Sequence, residues 1–240
     1  MAYQAIFKRV EKKFLITPTE KDEILHSLGN KLVPDAHFHS AIGNIYYDTP
    51  SFLIARNSME KPLYKEKIRL RTYSVPEASS MAFLEIKKKY DGIVYKRRLS
   101  LPYEEARLYM EGKGVLSEEY ADSQIGQEIE YFRSHYDPLG PAMVLSYNRE
   151  SYLASDDSGV RITFDDRIQW RTDRLDLAQR YDGNPVLPRD TVLMEIKIPE
   201  AYPRYLVDLL CQMGIFQTSF SKYVRAYQDY YRQKNETGAP

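Results

Sequence analysis

Charged and apolar side chains alternate along six separate segments of this chain: RVEKKF (9–14), KIRLR (67–71), LEIKKK (84–89), YKRRLSL (95–101), VRITFDD (160–166) and LMEIKI (193–198). In a strand, residues two apart share a face. Lys67, Arg69 and Arg71 therefore point one way, and Ile68 and Leu70 the other. Glu85, Lys87 and Lys89 oppose Leu84 and Ile86, and Glu195 and Lys197 oppose Met194, Ile196 and Ile198. A charged strand face ordinarily meets water, with cross-strand ion pairs on it. Six such faces rich in Arg and Lys can instead line one enclosed cavity, and the natural occupant is then a polyanion.

The rest of the chain supplies the elements to build such a cavity. A long strand is expected over 4–16. Thr17-Pro18-Thr19-Glu20 is an N-cap, a proline at the first helical position and a Glu three after the cap. That helix should run to Leu28 and stop at Gly29-Asn30. Strands are expected over 38–47, 63–73, 82–90, 93–101, 141–154, 160–167 and 191–198. Asp91-Gly92 is the strongest hairpin signal. Helices are expected over 51–59, 102–112, 122–135, 202–213 and 221–233. Residues 168–189 fit neither pattern. Cys211, in an amphipathic stretch, is expected in the core. With no repeat and no low-complexity linker, the simplest organisation is one α+β domain over residues 1–234 and a disordered tail over 235–240. The polar faces converge only if the antiparallel strands close, or nearly close, into a β-barrel with the helices packed outside.

Net charge is zero over 34 basic and 34 acidic residues, so nothing implies whole-molecule attraction to nucleic acid or membrane. The charge is segregated, however. Residues 61–98 carry eleven Lys or Arg against four acids, and residues 104–137 carry nine acids against three bases. A single cysteine excludes a disulfide and a cysteine-rich zinc site. No apolar run is long enough for a transmembrane segment, and the N-terminus lacks a signal-peptide pattern, so a cytoplasmic protein is expected. P-loop, dinucleotide-binding, serine-hydrolase and zinc-protease motifs are absent. His37 and His39 share a strand face but have no third ligand, and read as an exposed strand. The 21 tyrosines come without any nucleic-acid signature.

What remains is the alternating charge. Guanidinium forks bind phosphate oxygens bidentately, and lysine acts as a mobile point charge. Phosphoryl transfer needs charge neutralisation and positioning more than covalent chemistry. A divalent metal would need a carboxylate among the bases, and Glu11, Glu85 and Glu195 supply one on three strands.

RVEKKF, IYYDTP, KIRLRTY, LEIKKKYDGIVYKRR, LSYNRESY, VRITFDD, MEIKI and FSKY, in this order, resemble the VTC (vacuolar transporter chaperone) domain of the triphosphate tunnel metalloenzymes, or CYTH-like superfamily. The resemblance covers nearly the whole chain. It implies a tunnel of antiparallel strands and, from the eukaryotic relatives, a polyphosphate polymerase that moves the terminal phosphate of ATP onto inorganic polyphosphate with manganese (or magnesium). Carried over residue by residue, it implies catalytic roles for Lys13, Glu195 and Lys222, with Glu195 as the metal ligand. It implies phosphate binding by Arg56, Arg69, Arg71, Lys87, Arg98, Tyr147, Arg149, Arg161, Lys197 and Ser221. Many tunnel metalloenzymes carry E-x-E-x-K in the first strand. Here Arg9 replaces the first glutamate, which favours a basic polymerase-like tunnel over a two-metal hydrolase or a cyclase. A soluble stand-alone version is implied, with a triphosphatase and a non-catalytic polyphosphate-binding module as the alternatives, and any membrane-protein partner unknown.

Overall fold

The computed structural model describes residues 10–91, 93–156, 158–199 and 201–236. Residues 4–9 of the expected first strand, Gly92 of the hairpin turn and 237–240 of the expected tail lie outside the described residues. The strands are β1 (Val10–Ile16), β2 (Leu32–Asp48), β3 (Tyr64–Thr72), β4 (Met81–Tyr90), β5 (Ile93–Pro102), β6 (Gly140–Ala154), β7 (Arg161–Arg171), β8 (Asn184–Pro185) and β9 (Val192–Ile198). They form one antiparallel sheet in the order β1-β9-β7-β6-β2-β3-β4-β5, with β8 on β7. The helices are α1 (Pro18–Leu28), α2 (Leu53–Met59), α3 (Tyr103–Met110), α4 (Glu118–Ala121), α5 (Gln124–His135), α6 (Arg204–Gln212) and α7 (Lys222–Glu236).

The alternation sorts the sheet into two faces. Outward-facing apolar residues make two cores. One joins Ile45, Ile68, Leu70, Leu84, Ile86, Leu99 and Leu101 to Tyr103, Ala106 and Met110 of α3 and Ile129 and Phe132 of α5. The other joins Phe14, Ile16, Ile162, Phe164, Met194, Ile196 and Ile198 to Ile24 and Leu28 of α1 and Leu206 and Leu210 of α6. α1 begins as the sequence predicts: Thr17 Oγ1 accepts from the Glu20 N–H, and the Glu20 carboxylate accepts from the Thr17 N–H.

Along its length the inner face passes from charged to apolar. Tyr46, Leu145, Tyr147, Trp170 and Leu193 meet Ala55 of α2 and Tyr223, Ala226 and Tyr227 of α7 in a third core. α7 thereby covers the apolar end of this face, with the Tyr46 and Tyr223 rings stacked at 4.3 Å. A bulge in β7 sets this transition. The β6–β7 register shifts between Ser146 and Asn148, opposite Arg167 with its positive φ of 47°. Without the extra residue, alternation from Asp165 would put Arg167 on the inner face; with it, Ile168 and Trp170 take that place.

The sheet curls but does not close by hydrogen bonds: among the described residues no pairing joins β1 to β5. Side chains bridge the gap instead. Glu11 of β1 reaches Lys87 of β4 at 3.9 Å, and the carbonyl of Lys13 accepts from the Thr218 N–H before α7.

Three sequence expectations need correction. Cys211 is exposed. Leu206 and Leu210 make the buried stripe of α6, and Cys211 is one residue, about 100° of helix, past it. Asn235 and Glu236, expected in the tail, extend α7. The stretch after 167 begins as strand, since β7 continues to Arg171, and the segment beyond wraps the buried Arg171 guanidinium. That group donates to the carbonyls of Arg174, Asp176, Arg180 and Asp182.

The seat of α7 depends on Asp48. Its carboxylate accepts from the N–H groups of Thr49, Ile54 and Ala55 and from Tyr223 Oη at 2.7 Å. Asp48→Ala leaves buried donors unpaired and should cost about 3 kcal/mol of unfolding free energy in urea titration. Asp48→Asn, which keeps one acceptor oxygen, should cost less. A loss under about 0.5 kcal/mol for Asp48→Ala would show that the seat does not depend on this carboxylate.

Candidate functional site

Two carboxylate centres organise the charged part of the inner face. The first is Glu85 on β4, only 2% exposed. The register sets it opposite Arg69 of β3 on one side and Arg98 of β5 on the other. Arg69 Nε and Nη2 approach Glu85 Oε2 at 2.9 and 2.8 Å, Arg71 Nε lies 3.9 Å away, and Lys96 pairs with Oε1. The arginines are held from behind as well. Arg69 Nη1 donates to Tyr46 Oη (2.9 Å), Arg71 Nε to Asn44 Oδ1 (2.9 Å), and Arg71 Nη2 to Tyr147 Oη (3.0 Å). Burial alone would raise the Glu85 pKa, but Arg69, Arg71 and Lys96 hold it well below the usual range. Burial, helped by Arg69 and Arg71, pulls Lys96 down to about 7 against the attraction of Glu85.

The second centre is Asp165 on β7 with Glu195 on β9. Arg149 of β6 grips Asp165 in a fork, Nε to Oδ1 at 2.6 Å and Nη2 to Oδ2 at 2.7 Å. Lys222, the first residue of α7, lies 2.5 Å from Asp165 Oδ2 and 3.1 Å from Glu195 Oε1. Lys13 (3.7 Å), Lys197 (3.7 Å) and Arg149 (3.6 Å) complete a ring of cations around Glu195. Lys13 also donates to the Phe220 carbonyl at 2.8 Å. Burial opposes ionisation of Glu195, yet Lys222, Lys13, Lys197 and Arg149 hold its pKa well below the ordinary value. Burial likewise opposes protonation of Lys222, but Asp165 and Glu195 raise its pKa. Glu11 faces Lys13 at 3.3 Å. Burial and the repulsion of Glu195 push Glu11 up, while Lys87, Lys13 and Lys197 together bring it to about 2.

The structure thus gathers most of the residues singled out in the sequence. Lys13, Arg149, Lys197 and Lys222 gather around Glu195, Arg69, Arg71 and Tyr147 around the first centre, and Lys87 and Ser221 join them through Glu11 and Lys67. Arg98 is exposed beside them, its guanidinium 4.7 Å from the Phe83 ring centroid. Arg161 sits opposite Lys197 in the register and is held by Asp35 at 2.5 Å and by Ser151 Oγ. Arg56 stands apart, exposed on α2, with Ser51 Oγ 3.5 Å from its guanidinium. The sequence reading gave no role to Lys67, Lys96 or Asp165. Lys67 and Lys96 were legible as the residues two before Arg69 and Arg98. Asp165 was legible as well, since it lies four residues after Arg161 and shares its strand face, while Asp166 shares that of Phe164.

The lining carries nine bases, Lys13, Lys67, Arg69, Arg71, Lys87, Lys96, Arg149, Lys197 and Lys222, against four carboxylates, Glu11, Glu85, Asp165 and Glu195. Such a surplus suits a polyanion. It does not suit a metal held by protein alone, and among the described residues no three metal-ligating side chains cluster. The donor set does fit a divalent cation shared between protein and ligand. Such an ion takes one or two carboxylates and completes its shell with phosphate oxygens.

Lys96 gives a pH signature. Its pKa is lower in the folded state than in the unfolded chain, so the unfolded chain binds more protons between about pH 7 and the ordinary lysine value. The cost that the Lys96 charge imposes on the folded state therefore shrinks as pH rises through that window. Denaturant titrations of the ligand-free protein should show stability rising from pH 7 to 9, with a smaller slope in Lys96→Met. Equal slopes would mean that Lys96 does not titrate there.

A model of the VTC domain matches residues 8–231. Among solved structures, a candidate adenylate cyclase from Bacillus halodurans aligns with a TM-score of 0.55 at 13% identity, over 91% of this chain and 96% of that one. A candidate adenylyl cyclase from Hippeastrum, HpAC1, described as having a dominant triphosphatase activity, aligns with a TM-score of 0.51 at 13% identity, over 92% of this chain and 96% of that one. No curated protein sequence matches the chain significantly. At such identities the structural likeness speaks for the fold alone. With its curled antiparallel sheet and inward-facing bases, the chain belongs to the VTC domain family and has the triphosphate tunnel fold.

Proposed function

We propose that this protein is a phosphotransferase that extends inorganic polyphosphate with the terminal phosphate of ATP. The observation that carries this reading is the surplus of nine bases over four carboxylates inside a sheet whose outer faces are covered. Among the described residues these nine bases pair with no further acid, and a phosphate chain would supply the missing negative charge. Membership of the VTC family and the fold shared with a protein described as having triphosphatase activity support chemistry on phosphoanhydrides. No helix among the described residues is long and apolar enough to cross a membrane.

The residues divide the work by charge. Arg69, Arg71 and Arg149 are fixed at their backs by Tyr46, Asn44, Tyr147 and Asp165, so their remaining donors are pre-aimed at phosphate oxygens. Lys13 and Lys222 flank Glu195 and would stabilise charge on the phosphoryl group in transit. A terminal phosphate oxygen of the acceptor chain forms the new P–O bond to the γ-phosphorus of ATP. The bond from that phosphorus to the β–γ bridging oxygen breaks, and ADP leaves with the electron pair. No general base is required, because the attacking oxygen is already ionised. Glu195, with phosphate oxygens, would hold a manganese or magnesium ion, which would neutralise charge on the leaving diphosphate when bound.

Purified protein incubated with ATP and manganese should produce long phosphate chains on a gel. Glu195→Gln should reduce turnover by orders of magnitude while thermal unfolding stays cooperative. Orthophosphate release without chains would replace this reading with a triphosphatase. Absence of both products with manganese, magnesium or cobalt would leave a binding module.

Lys13→Ala separates chemistry from binding. A contact made mainly in the transition state lowers turnover more than affinity. Chain growth should be abolished while the dissociation constant for tripolyphosphate stays within about tenfold of wild type, roughly 1.4 kcal/mol. Equal losses in turnover and affinity would make Lys13 a general binding residue.

A further inference from the structure

Of the nine bases named above, Lys67 alone lies beyond ion-pair distance of a carboxylate among the described residues. Among the described residues Lys67 forms no ion pair, and its Nζ donates only to Ser221 Oγ, at 3.3 Å. Its surroundings are cationic from every side. Lys87 is its direct partner across β4, Lys65 and Arg69 flank it on β3, and Lys13 faces it from β1. The nearby acids are already engaged. Glu11 serves Lys13 and Lys87, and Glu85 serves Arg69, Arg71 and Lys96. Burial and then Lys87, Lys13, Arg69 and Lys65 push the Lys67 ammonium well below its ordinary pKa. Like charges directly opposite each other destabilise a sheet. A lysine on a solvated face would swing its head into water, yet Lys67 is half-buried and tied to the residue that precedes α7.

A base placed this way contributes nothing to the empty protein, and only an anion from outside can compensate it. We propose that Lys67, together with Ser221 and Lys87, is a subsite that receives a phosphate group of the incoming polyanion, either linear polyphosphate or the triphosphate of a nucleotide. This rests on the reading of the inner face as phosphate-binding and gives a specific role to a residue that the strand alternation had placed on the basic face without one. The Ser221 hydroxyl accepts from Lys67 and from the Val224 N–H, which leaves its own proton free to turn toward a phosphate oxygen. A phosphate at Lys67 also screens it from Lys87 and Lys13. The cation that the empty protein tolerates at a loss is the one whose interaction improves most on loading.

The signature is a pair of effects with opposite signs. Lys67→Met removes the charge and keeps most of the volume. The ligand-free variant should melt higher than wild type, by roughly 2–4 °C. Its dissociation constant for tripolyphosphate, measured by calorimetry, should rise by about 10- to 100-fold, the range for losing a charge-assisted contact. Lys67→Gln should show the same pair of signs, and Lys67→Arg should keep most of the affinity. ATP and tripolyphosphate, run in parallel, distinguish the occupants. Equal losses place the nucleotide triphosphate at Lys67, and a loss confined to tripolyphosphate places the acceptor chain there. Affinities for both ligands within about twofold of wild type in Lys67→Met would overturn the proposal while leaving the phosphate-binding reading intact. So would a melting point that falls together with the affinity, since that marks a structural lysine. If wild type binds neither tripolyphosphate nor ATP, the phosphate-binding reading itself fails, and this subsite with it.

Discussion

The carboxylate of Glu85 is the contact on which the charged inner face depends. Without it, Arg69, Arg71 and Lys96 would crowd one another on adjacent strands with no negative charge among them. Buried charge is tolerated only when paired and hydrogen-bonded, and Glu85 meets that condition for three cations at once. Asp165 and Glu195 do the same for Arg149, Lys222, Lys13 and Lys197. In both centres the acids are fewer than the bases. The pairing keeps the lining folded and fixes donor directions, yet leaves net positive charge. These acids therefore serve as internal counterions, and an incoming phosphate chain would compete with them for the same guanidinium and ammonium groups.

Sheet geometry determines which charges meet. Antiparallel register puts Lys13 opposite Glu195, Arg69 opposite Glu85 and Arg161 opposite Lys197. Because side chains alternate faces with a period of two, a slip of one residue in β4 would carry Glu85 outward and Leu84 inward. The outer cores oppose that slip, since Leu84 and Ile86 are already packed beneath α3 and α5. Hydrophobic burial outside thus enforces charge alignment inside. The open seam between β1 and β5 needs a different device. There Glu11 and Lys87 meet across the gap, and the segment before α7 pairs with Lys13.

Much of this was legible in the sequence because alternation is a local property. KIRLR and LEIKKK declare their inward and outward residues without tertiary information, and the Thr17–Glu20 cap lies within four residues. The α1 boundaries and the strand faces followed directly. What escaped depended on distant groups. The face of Asp165 followed from its spacing to Arg161, but only the distant Arg149 and Lys222 make it a centre. The segment after Arg171 has no periodicity because its carbonyls are organised around one guanidinium rather than along a ladder. Arg56 was carried over from a short resemblance, and the side chain points to Ser51 on the helix exterior. Nothing in ARN could have said which way it would turn.

α7 links the apolar and the charged halves of the cavity. Its Tyr223 stacks on Tyr46 and donates to Asp48, while Tyr46 in turn accepts from Arg69. One residue earlier, Lys222 reaches Asp165 and Glu195, and one earlier again, Ser221 accepts from Lys67. Three consecutive side chains therefore touch the third core, the second carboxylate centre and Lys67. A helix end that shifted by a turn, about 5.4 Å, would break all three sets of contacts together. Tyr223 is 1% exposed and pinned by stacking as well as by its hydroxyl. Apolar burial therefore sets the position of Lys222. Electrostatics alone could not, because a flexible lysine among several carboxylates has many nearly equivalent poses, and the buried tyrosine beside it has one.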